Sequence, residues 1–302
     1  MTLETTLCGI CLQNPVLAAS GTFGYGVEFA AQVDLNQLGG FVVKGLSREP
    51  IQGNPAPRLW ETRAGMLNSV GLQNIGVQAF VREKLPALAA LRTAVFANVF
   101  GHEPADYAEV VRVLEDHPGL AGYELNVSCP NTRHGGIYFS SDPALLAEVV
   151  SAVRPVARRP LVVKLSPNVA AIEPLARAAA DAGADALSLV NTFVALAIDA
   201  RTRRPRLGAG FGGLSGPAIK PIALRFVYQA AQAVRIPVIG LGGIATGEDA
   251  AEFLIAGATA VQVGTAHFWD PASALRVARE LGAFCRRERI DSVQSLTGTL
   301  KL

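Results

Sequence analysis

Long apolar runs are missing from this sequence. No stretch approaches the roughly 20 residues a helix needs to cross a bilayer. The start, MTLETTLCGICLQNP, has neither the basic residues nor the apolar run of about 7 to 15 residues that mark a secretion signal. No membrane partner is expected, and the chain is read as cytoplasmic. Cysteine is scarce as well: Cys8, Cys11, Cys129 and Cys285 are four in 302 residues, which excludes a disulfide framework and fits a reducing compartment. Cys8 and Cys11 form a CxxC, but no second CxxC or HxxxH pair accompanies them, so the pair is read as structural and no metal is expected. An excess of one charge is also absent. The net charge of +2 excludes the strong basic surplus of a dedicated nucleic-acid binder, and the one basic cluster, ARTRRPR from Ala200 to Arg206, reads as a solvated loop.

What is present is an enzyme-like composition, half apolar and only 17% charged. Eight short apolar, β-branched runs recur: Pro15 to Ser20, Phe41 to Gly45, Val95 to Gly101, Tyr123 to Ser128, Leu161 to Ser166, Ala186 to Thr192, Pro237 to Gly243 and Ala260 to Thr265. Helical segments lie between them, such as DPALLAEVVSAVRPV, which opens on an Asp-Pro start signal, and AAIEPLARAAADAGA, which closes on Gly183. Nearly continuous apolar strands alternating with helices predict a parallel sheet covered on all sides. The fold expected is α/β: a single (β/α)8 TIM barrel spanning 1–302 as one domain, with a doubly wound open sheet as the runner-up. The segment TTLCGICLQNP alternates weakly around Gly9 and predicts an N-terminal hairpin that plugs one end of the barrel. Two connections, Leu46 to Gln73 and Phe193 to Ser215, are longer than a barrel needs. Both follow strands on the C-terminal face, where barrel enzymes keep their active sites, and both suggest a lid or a partner surface.

Polar residues end nearly every predicted strand: Ser20, Lys44, Asn98, Asn126 with Cys129, Lys164, Asn191 with Thr192, the pair Gly242 and Gly243, and Gly264 with Thr265. A buried polar group costs a few kcal/mol unless it finds a partner, so eight on one rim point to a ligand rather than to packing. Glycines after the last two strands let backbone N–H groups approach an oxyanion, the usual phosphate grip of this fold, so a phosphate-bearing ligand such as FMN is expected. Lys44 and Lys164 sit among apolar residues. Each must lose its proton or meet an anion, either as an electrophilic partner of a reduced flavin or as a Schiff-base lysine. The asparagines offer donors and acceptors together, which suits a ring of alternating carbonyl and N–H groups.

Taken together, NVSCPN, the KG that ends the second strand, GMLNSVGLQN, VVKLSPN, VNTF and GGIATGEDAAEFLIAGATAVQVGT resemble the dihydroorotate dehydrogenase family of pyrimidine synthesis over essentially the whole chain. The resemblance implies FMN contacts at Ser20, Lys44, Gly45, Asn98, Asn126, Lys164, Val190, Gly216, Gly242, Gly243, Gly264 and Thr265. It implies that the substrate lies against Lys44, Asn68, Ser69, Val70, Gly71, Leu72, Asn126, Asn191 and Thr192, with Asn131 as a further contact. Cysteine in the base position is similar to class 1, and GNPAPRLWET, CPNTRHGG and NTFVALAIDARTRRP look like subclass 1B. That subclass pairs its catalytic subunit with one bearing FAD and a 2Fe-2S cluster and passes electrons to NAD, as a homodimer core or a heterotetramer.

The implied chemistry agrees with the residue types. Dihydroorotate loses a proton from C5 and a hydride from C6, and a flavin accepts the hydride from one face, so the base stands on the other. A thiol with an ordinary pKa of about 8.5 is partly ionised near neutrality, which suits Cys129 to the C5 proton. His134 is read as a surface loop residue. Alternatives are a class 1A-like homodimer using fumarate, and another flavin barrel acting on a pyrimidine, such as dihydropyrimidine dehydrogenase. The tRNA-dihydrouridine synthases should show a basic face that this chain lacks. Outside the flavin enzymes stand a Schiff-base lyase at Lys164 and a catalytically silent binding module.

Overall fold

The computed structural model describes residues 1–127 and 136–302, with side chains from residue 139 onward in the second span. Eight parallel strands close into a barrel in sequence order: β1 (Val16–Ala18), β2 (Gly40–Leu46), β3 (Ala94–Val99), β4 (Gly122–Asn126), β5 (Leu161–Lys164), β6 (Ala186–Leu189), β7 (Val238–Leu241) and β8 (Ala260–Val263). Closure leaves no exposed edge and rules out the open-sheet alternative. The strands are largely apolar because one face packs on helices and the lower part of the other fills the barrel. The helices start where the sequence says they should. Asp142 caps Pro143–Val153 through Ala144 N–H at 2.7 Å, and Thr246 with Asp249 forms a capping box on Gly247–Ile255.

The barrel interior is built in layers. Leu17, Val42, Phe96, Val162, Ala186, Ile239 and Ala260, from seven strands, form the lower layer together with Leu7 and Leu12. On β4 the corresponding place is Gly122, where an added Cβ would stand 3.0 Å from the Phe96 ring, so the missing side chain makes room for the phenyl group. Leu7 and Leu12 belong to an antiparallel hairpin, Thr5–Leu7 with Ile10–Leu12, which plugs this end as the sequence predicted. Its two-residue turn places Cys8 at φ 50° and Gly9 at φ 80°, the left-handed pair that a tight hairpin requires. The Cys8 thiol donates to the Asp185 carbonyl, and burial pushes its pKa up to about 11, while Cys11 is exposed.

The two long connections do more than form loops. Leu59–Thr62 and Gly65–Asn68 from the first pair with Phe211–Ser215 and Phe193–Leu196 from the second, giving a four-stranded antiparallel sheet over the C-terminal mouth of the barrel. Arg201, Arg203 and Arg204 are exposed, as the solvated-loop reading expects. Arg206 stacks on the Trp60 ring at 4.4 Å and pairs with Asp199 at 2.7 Å. Among the described residues no helix is long and apolar enough to cross a membrane.

Candidate active site

Above the apolar layer the barrel turns polar, because alternation along each strand that sends Tyr123 and Leu125 outward sends Glu124 and Asn126 inward. Glu124 is 1% exposed and lies at the centre of this layer. Its Oε1 accepts from Asn98 Nδ2 at 2.8 Å, from Ser20 Oγ at 3.3 Å and from Lys164 Nζ at 3.3 Å. Its Oε2 accepts from Gln262 Nε2 at 2.8 Å and from Ser188 Oγ at 3.0 Å. Burial alone would push this carboxyl up, but the Lys164 charge and the amide and hydroxyl donors outweigh it and hold the group below the ordinary carboxylate range. Lys164 also donates to Ser20 Oγ at 3.3 Å.

One cavity opens above this layer, between the strand ends and the capping sheet. Ser20, Lys44, Gly45, Asn98, Asn126, Lys164, Val190, Gly216, Gly242, Gly243, Gly264 and Thr265 all line it, and so do Asn68, Val70, Gly71, Leu72, Asn191 and Thr192. Ser69 does not. Alternation turns it away from Asn68, and its side chain is fully buried with an Oγ that takes no partner. Ser69 serves the loop instead, accepting Asn54 Nδ2 at 2.9 Å on its carbonyl. Cys129, Asn131 and His134 lie outside the described residues.

Foreseen and unforeseen side chains together hold the cavity wall, Asn168 and Tyr107 being the unforeseen ones. Asn191 Nδ2 donates to Asn126 Oδ1 at 3.3 Å, and Asn191 Oδ1 accepts the Thr192 N–H at 2.8 Å. Asn168 fixes the same segment from the loop after β5, donating to the Thr192 carbonyl at 3.0 Å and accepting the Val194 N–H at 2.9 Å. The Tyr107 hydroxyl donates to the Asn126 carbonyl at 3.1 Å. Glu124, Ser188 and Gln262 went unread in the sequence, although a charged residue inside YELNV is itself a signal, since a barrel strand has no apolar use for it. Lys44 contrasts with Lys164. No hydrogen bond from its ammonium to any described residue is formed, and burial, helped by the like charge of Arg58, pulls its pKa below the ordinary lysine value.

The residues present fit a flavin phosphate. Gly264 carries open space where a Cβ would stand, with only the Ala19 methyl at 3.6 Å and Thr22 Oγ1 at 3.9 Å. It precedes the 3-10 turn Thr265–Phe268, whose first N–H groups have no partner within the turn and are available to an anion. Gly243 adopts φ 84°, and a Cβ there would meet the Gly216 carbonyl oxygen at 2.9 Å, so only glycine permits this close approach of two loops. His267 supports the turn. Its Nδ1 lies 3.0 Å from the Gly264 carbonyl, which can only accept, so Nδ1 carries the proton, and burial lowers the imidazole pKa to about 4. At the floor and walls, Lys164, the asparagine amides and backbone N–H groups offer the mixed donors and acceptors that a flavin ring requires.

The family model for dihydroorotate dehydrogenase matches residues 2–285. Over 99% of the chain there is 79% identity to a Solibacter usitatus protein named putative dihydroorotate dehydrogenase A (fumarate), 98% of which is covered. At the same coverages, 53% identity relates it to proteins of Citrifermentans bemidjiense and Geobacter metallireducens, each named dihydroorotate dehydrogenase B (NAD(+)), catalytic subunit.

Proposed function

The chain belongs to the dihydroorotate dehydrogenase family, and from that premise we propose that it works with FMN as cofactor, Cys129 as base and a partner subunit that carries electrons to NAD. The reaction itself, oxidation of dihydroorotate to orotate in pyrimidine biosynthesis, is that of the family, whose enzymes are flavin-dependent. What carries the cofactor reading is the convergence of Ser20, Asn98, Lys164, Gly243, Gly264 and Thr265 on one cavity roofed by the residues assigned to the substrate.

Flavin, when bound, supplies the acceptor for the hydride that leaves C6. The chain's own residues do the rest. Lys164 and Asn98 would hold the ring from the barrel floor, where the ammonium would balance negative charge. Asn68, Asn126, Asn191 and Thr192 orient the pyrimidine, and Lys44 answers its carboxylate. Cys129, which follows β4 in the chain, takes the C5 proton from the face opposite the hydride acceptor. The capping sheet excludes water from that chemistry.

The partner reading draws on the relatives named as catalytic subunits and on apolar side chains exposed on the capping sheet, among them Leu59, Val194, Leu196 and Phe211. A second reading has fumarate as acceptor and no second subunit. It is favoured by the name of the Solibacter usitatus relative at 79% identity. The two are separated by one experiment. The purified protein is loaded with FMN, reduced anaerobically with dihydroorotate and offered fumarate, NAD alone, or NAD with an FAD and 2Fe-2S protein copurified from the same cells. Reoxidation by NAD only in the third case supports the partner reading; fast reoxidation by fumarate overturns it. A colourless protein that takes up no FMN overturns the cofactor assignment.

A further inference from the structure

The carboxylate of Glu124 sits below the cavity floor and touches neither substrate nor cofactor space directly, yet four of its five donors, Ser20, Asn98, Lys164 and Gln262, line the cavity. We propose that Glu124 is a positioning residue of the active site: it keeps the Lys164 ammonium charged and, with Ser20 and Asn98, aimed into the flavin pocket. This rests on the flavin reading above and extends it to a residue that reading does not use.

Burial is what makes such a partner necessary. Lys164 is 4% exposed, and a charge so enclosed is costly unless a counter-charge stands close. Among the described residues Glu124 is the charged group in contact with it, and the other side chains gathered on the carboxylate, Ser20, Asn98, Ser188 and Gln262, do not titrate. Lys44, on the same cavity wall, is the other titratable cation that faces the pocket, and it has no carboxylate within salt-bridge distance. Two of the three Lys164 N–H groups go to Glu124 and Ser20, which leaves one to point at a bound ring. The fivefold grip comes from five different parts of the barrel, so the carboxylate also fixes how the strand ends stand relative to one another.

The test replaces the charge and keeps the shape. In Glu124→Gln the new amide would oppose Gln262 Nε2, but the Gln262 Oε1 takes no partner, so rotating that side chain amide restores a hydrogen bond and the variant should fold. The readout is the midpoint potential of bound FMN, measured for wild type and variant between about pH 6 and pH 9. At the acid end the Lys164 charge is no longer offset, and the potential of the variant rises above wild type. At the alkaline end the ammonium has lost its proton, and the potential falls below wild type. Restoring the carboxylate one methylene shorter, in Glu124→Asp, should return the wild-type pH profile in part. A Lys164→Met background removes the cation, and there Glu124→Gln takes away an uncompensated anion, so the potential should rise without the change of sign across the pH range that the single variant shows. This double variant leaves no unpaired charge in the barrel, so it serves even if Glu124→Gln alone does not fold. With Lys164 present, a shift of one sign and constant size across the pH range, or the same shift as in the methionine background, overturns the positioning role. A wild-type protein that takes up no FMN overturns the flavin reading and this role with it, which is a different result from either.

Discussion

Thr192 and Gly213 are packed so closely that no other residue fits opposite the threonine. A Cβ added at Gly213 would overlap the Thr192 Oγ1 and stand 2.6 Å from its Cβ. Thr192 lines the end of the cavity proposed for the substrate, and Gly213 lies in the capping strand Phe211–Ser215. Gly213→Ala should therefore displace the threonine and weaken substrate binding, raising KM for dihydroorotate by about tenfold, equivalent to about 1.4 kcal/mol. FMN content should stay unchanged, because the residues assigned to the phosphate lie after β7 and β8. Steady-state kinetics with a flavin count on the same sample check both halves; loss of FMN together with KM would show a general collapse of the mouth instead.

Lys44 carries a pH prediction. It is a half-buried ammonium with a lowered pKa and no hydrogen-bonded acid among the described residues, so a bound carboxylate is the anion that stabilises its charged form. Orotate affinity should be full at pH values below the lowered Lys44 pKa and should decline as pH rises through it. Calorimetric titration of a Cys129→Ala protein keeps the thiol's own charge out of the measurement. In Lys44→Met the affinity should be lower throughout and flat over the same range. An unchanged slope in the methionine variant would detach Lys44 from the carboxylate.

The strand-by-strand pattern of the barrel could be read because each strand carries its own evidence: an apolar run, then a polar residue where the run meets the cavity. Ser20, Lys44, Asn98, Asn126 and Lys164 all announce themselves this way. The hairpin was legible in Gly9 for the same local reason. The capping sheet was not, since GMLN, besides its local partner LWET, pairs with FGGLS more than a hundred positions on, and nothing in either segment names that partner. Glu124 was not legible, because its meaning depends on donors from five other parts of the barrel that only closure brings together. The burial of the Ser69 side chain off the cavity was not legible either, since the run Asn68 to Leu72 does not itself say which side chains turn to the other face.

Cys129 is the residue on which the proposed chemistry turns. Cys129→Ala should bind FMN normally, because none of the cavity-lining residues assigned to the cofactor is altered. Flavin reduction by dihydroorotate should slow by roughly 100-fold to 10,000-fold, the usual contribution of a positioned general base. Stopped-flow absorbance in the absence of any electron acceptor isolates that half-reaction. Near-normal reduction would remove the thiol from the mechanism.

His267 links the phosphate turn to acid stability. Its ring lies 4.9 Å from Phe23 and 6.3 Å from Phe29, and its Nε2 is buried without a partner, so the folded state holds it neutral. Burial depresses its pKa from 6.5 to about 4. The unfolded chain takes up the proton at the ordinary value, so the stability His267 contributes is intact above about pH 6.5 and is lost as pH falls toward about 4. The loss over that window is of order 3 kcal/mol, and none is added below it, where both states are protonated. His267→Phe keeps a ring among the phenylalanines but cannot titrate. It gives up the bond to the Gly264 carbonyl and should be less stable than wild type near neutrality. Urea midpoints measured from neutral pH downward should show the two proteins converging as the wild type loses its advantage. A constant gap across the window would mean that the imidazole is already charged in the fold, and that the Gly264 turn is held by a cation rather than by a neutral donor.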